Sequence, residues 1–358
     1  MKNLIDYNYI NKQDKDLVEL FISSKNIKRY ILGINKLTKS ILKYIEVDGI
    51  IDDFTRIQSS RKKKDILNIE DVPKNSIILA TSTGSPLEVK IKLDEMGYDN
   101  FNYLAFYKYS GFELANPPFI TDFENDYKIH KDKYLEVYKL LEDEKSKEIF
   151  TKVINFKISF DFNFMKGFTN NFDEQYFDKD LIPNIQNITF LDGGGYIGDT
   201  LPNIIKYFPD FKKIYLIEPN QLHINIAKKK FTHLNNIEFI HCGLGNKKIV
   251  VDEKEIKDNN CNHNYQAQNI DTIDNIINER LDFIKLDIEG AEQDAIDGAK
   301  TTILKYQPIL AICIYHKAED WYKVPQKILA IHSDYKIYLR HYMEGIFETV
   351  MYFIPNKY

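Results

Sequence analysis

Cysteine is scarce: the 358 residues hold three, Cys242, Cys261 and Cys313, an odd number with no C-x-x-C spacing. That speaks against a disulfide framework and against a zinc site, and it suits a reducing cytoplasm. Long apolar runs are also lacking. No stretch of about 18 apolar residues is present to span a bilayer, and the opening MKNLIDYNYINKQDKD has no apolar core of a signal peptide. A cytoplasmic protein without a membrane span is expected. Positive charge is not in excess, since Lys+Arg 48 against Asp+Glu 53 leaves a formal charge of −5. With no global positive field to hold a polyanion, nucleic acid is not expected as the main partner.

What is present is ordinary globular material, 44 % hydrophobic and 28 % charged. The length predicts about two domains, and alternating patterns place them. From Lys28 the chain reads as an apolar segment (RYILGI), a helix-like stretch (NKLTKSILKYI) and a second apolar segment (VDGIIDDF), followed by basic residues at 61–64. A third strand candidate, SIILATST, passes through Gly84-Ser85-Pro86 into LEVKIKLDEMG, and FNYLAF is read as a fourth strand. This alternation predicts a small Rossmann-like α/β domain over residues 1–115. After Pro117-Pro118, residues 116–180 read as a helical connector, with KYLEVYKLLEDEKSKEIFTKVINFKI as its helical part.

Residues 181–358 alternate again, beginning at NITFLDGGG, through five strands in parallel alternation. YKIYLRHY and TVMYFIP close the chain, separated only by MEGIFE. So short a link requires an antiparallel hairpin, because parallel neighbours need a crossover of a dozen or more residues. The expected fold class is α/β: one doubly wound seven-stranded sheet with a terminal antiparallel hairpin, plus the smaller N-terminal domain.

The densest motif is Asp192-Gly193-Gly194-Gly195-Tyr196-Ile197-Gly198, directly after an apolar strand and before a helix. Glycines there let backbone amides approach a ligand, and Asp192 can accept a hydrogen bond from a cationic or hydroxyl group. Glu218 closes the next strand 26 positions after Asp192, where a carboxylate can bind ribose hydroxyls. Nicotinamide dinucleotides and S-adenosylmethionine both suit such a pattern. Asp199 in the first helical turn would repel a pyrophosphate, which favours S-adenosylmethionine, its amino group meeting Asp192. Pro219 follows Glu218, and Cys242-Gly243 after the third strand lies where an adenine ring would rest.

The second motif, Lys285-Leu286-Asp287-Ile288-Glu289-Gly290-Ala291-Glu292, ends the fourth strand, and the fifth ends in Tyr315-His316. In an open parallel sheet ligands sit beyond the carboxyl ends of the strands. Asp287 and His316 are therefore expected side by side as a carboxylate-supported base acting on a hydroxyl. Glu289 and Glu292 also complement a helix dipole, and for Glu292 that is the favoured reading. Tyr176, Arg340 and His341 are candidate acceptor contacts. Magnesium on the same carboxylates is ranked below a metal-free base. In the first domain, Gly33 precedes Asp52 and Asp53 by a nucleotide-binding spacing but lacks the other two glycines of the fingerprint, so a scaffold or docking role is expected there.

Together FLDGGGYIGDT, IEPN, GLGN, LDFIKLDIEGAE and IYHKAEDW resemble the FkbM-type S-adenosylmethionine-dependent methyltransferases, over about residues 175–355. The resemblance implies a class I methyltransferase sheet in the order 3-2-1-4-5-7-6 and methyl transfer to a hydroxyl oxygen of a sugar-like or polyketide-like acceptor. It places Asp192, Gly193, Gly195 and Glu218 on the cofactor, and Asp287, Glu289 and His316 near the acceptor. The N-terminal domain is similar in pattern to Rossmann-like domains on bacterial sugar-modifying enzymes, which favours a carbohydrate, nucleotide-sugar or glycan acceptor. The competing readings are a nicotinamide-dependent oxidoreductase on a sugar nucleotide and a non-catalytic cofactor-binding subunit. Homo-oligomerisation is left open.

Overall fold

A computed structural model describes residues 5–6, 9–52, 66–250 and 269–358. Asp53, the basic residues at 61–64 and Cys261 lie outside the described residues. The chain divides into two compact units: Met1–Lys128, Phe150–Asn170 and Met343–Ile346 make the first, and Ile129–Ile149, Asn171–Tyr342 and Phe347–Tyr358 the second. The helical segment read as a connector over 116–180 is thus shared between the units rather than standing apart from them.

In the first unit, β1 (Arg29–Leu32), β2 (Gly49–Ile51), β3 (Ile66–Leu67), β4 (Ile77–Ala80) and β5 (Asp99–Asn102) form a parallel sheet in the order β3-β2-β1-β4-β5. Alternate residues of its strands face opposite cores, Ile31, Ile77 and Leu79 on one side and Tyr30, Leu32, Ile78 and Ala80 on the other. Helices α1 (Lys12–Ser23), α2 (Lys36–Ile41), α3 (Pro86–Glu95) and α4 (Tyr103–Tyr109) accompany them.

FNYLAF is not a strand throughout. Asn102 Oδ1 accepts the backbone N–H groups of Leu104 and Ala105, so the strand ends there and its second half opens α4. The connector stretch is likewise two helices, α5 (Phe123–Leu140) and α6 (Glu144–Ser159). Asp143 Oδ1, accepting from Ser146 N–H at 2.7 Å, starts the second.

The second unit is built on β6 (Thr189–Gly193), β7 (Lys213–Ile217), β8 (Ile237–Ile240), β11 (Phe283–Leu286), β12 (Ile309–Cys313), β13 (Tyr335–His341) and β14 (Thr349–Pro355), with a small parallel pair, β9 (Gly243–Leu244) and β10 (Ile270–Asp271). The seven-stranded order is β13-β14-β12-β11-β6-β7-β8. This is the order the resemblance implies, read from the opposite edge, and β14 is antiparallel to both neighbours. Strands β6, β11, β12 and β14 are buried along their whole length, which is why they read as continuous apolar runs. The helices are α7 (Leu201–Tyr207), α8 (Gln221–Lys230), α9 (Ile273–Ile276), α10 (Glu292–Asp297), α11 (Lys300–Tyr306) and α12 (Asp320–Ile331).

Candidate active site

The carboxyl ends of five parallel strands open on one cavity of about 1340 Å³. Gly194 follows β6 there, Glu218 follows β7, Cys242 and Gly243 follow β8, Asp287 follows β11, and Tyr315 follows β12. Because β14 runs antiparallel, it enters the sheet at this same edge, and Glu348 immediately before it also lines the cavity.

The glycine turn is forced by close approach. Gly194 has φ +75, and a Cβ there would lie 1.8 Å from the Asp287 carbonyl oxygen, so only glycine lets the turn after β6 meet the end of β11. The turn N–H of Tyr196 donates to Glu218 Oε2 at 3.1 Å, while Glu218 Oε1 accepts from Asn220 N–H at 2.9 Å. His223 Nδ1 stands 3.2 Å from the same Oε1, and its ring meets that of Tyr196 edge-on. Glu218 is thereby fixed at the cavity wall, beside Pro219. Burial, with Asp271 nearby, pushes the Cys242 thiol up to about 11, so at neutral pH it is an apolar wall rather than a nucleophile.

Asp192 does not meet the cavity. It is fully buried, and Lys285 Nζ lies 2.9 Å from its Oδ1. The cause is register: Lys285 and Asp192 are direct partners on the neighbouring strands β11 and β6, so both side chains leave the sheet on one face. The ammonium also donates to the carbonyls of Gly193 and Gly194 at 3.2 and 3.0 Å. Burial opposes the Lys285 charge, but Asp192 and Asp287 outweigh it and raise its pKa. Asp192 therefore secures the turn through Lys285, in place of the expected contact with a cofactor amino group. Gly193 and Gly195 lie behind the turn, where a Cβ would strike Leu286 or Leu216.

Asp287 and His316 do come together, with His316 Nε2 3.5 Å from Asp287 Oδ1 and 3.7 Å from Glu289 Oε2. The imidazole is sealed, its side chain 1 % exposed, and Nδ1 lies 3.0 Å from Glu292 Oε1. Glu292 is itself fully buried and accepts the N–H groups of Ile288 and Gly290. Glu292 opens α10, at the helix N-terminus where the sequence reading placed it, and from there it also backs His316. Burial works against a charged imidazole, yet Glu292, Asp287 and Glu289 raise the pKa of His316 above its ordinary value.

Tyr176 reaches the same end of the cavity, with φ +70, its hydroxyl donating to Asp287 Oδ2 at 2.9 Å. Tyr315 donates to Asp287 Oδ1 at 3.2 Å. Arg340 and His341 are elsewhere. Arg340 Nε and Nη2 pair with Asp178 and Asp143 at 2.6 and 2.8 Å, and His341 Nδ1 sits 2.9 Å from Thr349 Oγ1, so each is held by its own polar partners and neither lines the cavity.

The sequence reading gave no role to Lys285 or Glu348 and did not place Glu292 against His316. A lysine inside the apolar run FIKL is itself a signal, because a buried cation needs a partner. Among the described residues, two groups have donors close enough for an ion, Asp287 with Glu292 and His316, and Asp287 with Cys313 and Glu348. In the first, Glu292 Oε1 already accepts two N–H groups and lies 3.0 Å from the imidazole; in the second, burial keeps the Cys313 thiol protonated. We assign no metal ligand to either. The cavity does fit an adenosyl group: a carboxylate fixed by two amides at the end of β7, a small apolar wall at Cys242, and a turn that a Cβ would fill.

In the first unit, the turn after β1 is closed on itself. Asn35 Oδ1 accepts from the N–H groups of Leu37 and Thr38, and Thr38 Oγ1 donates to Gly33 O. The amides that would cradle a dinucleotide phosphate are already taken.

The family model described as methyltransferase FkbM domain matches residues 192–341. The resemblance carried by FLDGGGYIGDT, IEPN and LDFIKLDIEGAE is thus borne out over that segment. Among solved structures, methyltransferase FkbM from Methylobacillus flagellatus KT is similar over 96 % of this chain and 94 % of its own, with 22 % identity and a TM-score of 0.76. The likeness is one of fold and extends across both units. A putative rRNA-methylase from Clostridium thermocellum matches 51 % of this chain and 92 % of its own at 11 % identity and a TM-score of 0.35. No curated protein matches the chain.

Proposed function

We propose that this protein is a cytoplasmic S-adenosylmethionine-dependent O-methyltransferase acting on a hydroxyl of an uncharged sugar or glycan. The observation that carries the reading is the placement of Glu218 and Asp287 on one cavity beyond the carboxyl ends of β7 and β11, the ligand edge of an open parallel sheet. The FkbM match over the same residues supports it. At about 1340 Å³ the cavity exceeds the roughly 300–1,000 Å³ that one small ligand occupies, leaving room for cofactor and acceptor together.

The cofactor supplies a methyl group on a sulfonium leaving group. Glu218 would hold the ribose hydroxyls, with Pro219, Cys242 and Gly243 against the adenine and Gly194 letting the turn close beneath. Asp287 would meet the acceptor hydroxyl and hold it in line, which is where proximity contributes most to such a transfer. His316, sealed behind Asp287 and seated on Glu292, would act through Asp287 as a positioning residue. Asp173, Asp199, Glu218, Asp287, Glu289 and Glu348 line the cavity, while Lys285 is committed to Asp192. So acidic a wall favours an uncharged sugar over a nucleotide sugar, whose phosphates it would repel.

The test is transfer of labelled methyl from S-adenosylmethionine to a panel of free hexoses, their methyl glycosides and the matching sugar phosphates. Label on a neutral sugar is the expected result. Binding of cofactor with no label on any hydroxyl would favour a non-catalytic subunit instead.

A further inference from the structure

Resting on the methyltransferase reading, we propose that Glu348 accepts the acceptor's hydroxyl proton during transfer.

Glu348 stands at the ligand edge because β14 is antiparallel: Cys313 pairs with Val350, so the residue preceding β14 emerges where β12 ends. Its φ of +62 is left-handed, as are those of Tyr176 (+70) and Glu289 (+57) around the same cavity. Non-glycine residues held there are strained and gather at functional sites. One carboxylate oxygen each of Glu348 and Asp287 and the Cys313 Sγ all lie within 4.8 Å of one another.

Asp287, His316, Glu289 and Glu348 stand at this end, and Glu289 is the one whose side chain is mostly open to solvent, 63 % exposed. Asp287 has both oxygens engaged by the phenols of Tyr176 and Tyr315, with His316 beside Oδ1. The His316 side chain is 1 % exposed. Glu348 Oε2 accepts from Gln175 Nε2, and the residue lines the cavity.

The titratable and charged groups facing Glu348 are Asp287 and Lys285 from β11 and its end, Cys313, Tyr315 and His316 from β12 and its end, and Tyr176 beside Gln175. Burial first, then the Asp287 charge, raise the Glu348 carboxyl to about 7, against the pull of Gln175, Lys285 and His316. Burial keeps the Cys313 thiol and both phenols protonated. A carboxylate that titrates near the working pH is the most effective general base.

The step balances without another reactant. A lone pair of the hydroxyl oxygen forms the O–C bond, the C–S bond breaks with its electron pair going to sulfur, and the hydroxyl proton passes to Glu348.

The experiment compares wild type, Glu348→Gln and Glu348→Asp, using methyl-labelled S-adenosylmethionine and methyl glycosides as acceptors. Calorimetry with S-adenosylhomocysteine on the same samples checks that the variants fold and bind. Expected are a wild-type kcat that rises through about pH 7 and a fall of about 10²-fold in Glu348→Gln with little change in KM. Glu348→Asp should be intermediate. A Glu348→Gln enzyme that keeps the wild-type kcat and acidic limb overturns the proposal. Carbon-13 titration of the glutamate carboxyls with S-adenosylhomocysteine bound needs no acceptor: a Glu348 signal titrating near the ordinary 4.3, about as in peptides, also overturns it. Failure to bind S-adenosylmethionine or S-adenosylhomocysteine would instead overturn the methyltransferase reading beneath it.

Discussion

Lys285 Nζ lies 2.9 Å from Asp192 Oδ1 with both side chains shut away from solvent, and this pair ties the floor of the cavity together. The ammonium bridges the carboxylate at the end of β6 to the glycine-turn carbonyls, while Asp287, two residues beyond Lys285, faces the cavity.

Removing one partner of a buried ion pair leaves an uncompensated charge and costs about 3–5 kcal/mol. Lys285→Met should therefore lower unfolding stability by that amount in urea melts. Adding Asp192→Leu should recover most of it, since two apolar side chains need no partner. Equal stability of Lys285→Met and wild type would refute the pairing.

The His316 environment makes a pH prediction with a definite sign. Its native pKa is raised above the unfolded value by Glu292, Asp287 and Glu289 despite burial. The native state therefore holds a proton that the unfolded chain releases above about pH 6.5. This contribution is complete below about pH 6.5 and fades as pH rises through the raised native value. Glu292→Gln should flatten that slope in stability measured from pH 6 to 9, and His316→Ala should abolish it. Turnover of His316→Ala should fall by about 10²-fold through misplacement of Asp287, with S-adenosylmethionine affinity near wild type.

The sheet was legible because its strands are uninterrupted apolar runs separated by helix-length stretches, and the six-residue MEGIFE left no alternative to a hairpin. Glu218, Asp287 and His316 were legible as polar residues at strand ends. The role of Asp192 was not, because it depends on a register that sets Lys285 opposite it from a strand 93 positions later in the chain. Glu348 was hidden for a related reason: a glutamate in a hairpin link looks like surface until the antiparallel insertion of β14 carries it to the ligand edge. Tyr176 reaches Asp287 across 111 positions of sequence, and no local pattern announces that. FNYLAF misled because the Asn102 cap, a side-chain hydrogen bond, overrode an apolar pattern.

Cys242 makes a steric prediction. Its thiol, held near 11, is a wall of the cavity rather than a reactant, so Cys242→Ser should transfer methyl groups at close to the wild-type rate. Cys242→Trp should fill the nucleoside end and weaken S-adenosylmethionine binding at least about tenfold, roughly 1.4 kcal/mol. Unchanged affinity in equilibrium dialysis would place the nucleoside elsewhere.

The central claim is tested most directly by calorimetric titration with S-adenosylmethionine, S-adenosylhomocysteine and the reduced nicotinamide dinucleotides, on wild type and Glu218→Ala. The account predicts that only the first two bind and that Glu218→Ala weakens both. A dinucleotide that binds while the adenosyl compounds do not, or adenosyl binding untouched by Glu218→Ala, would contradict it.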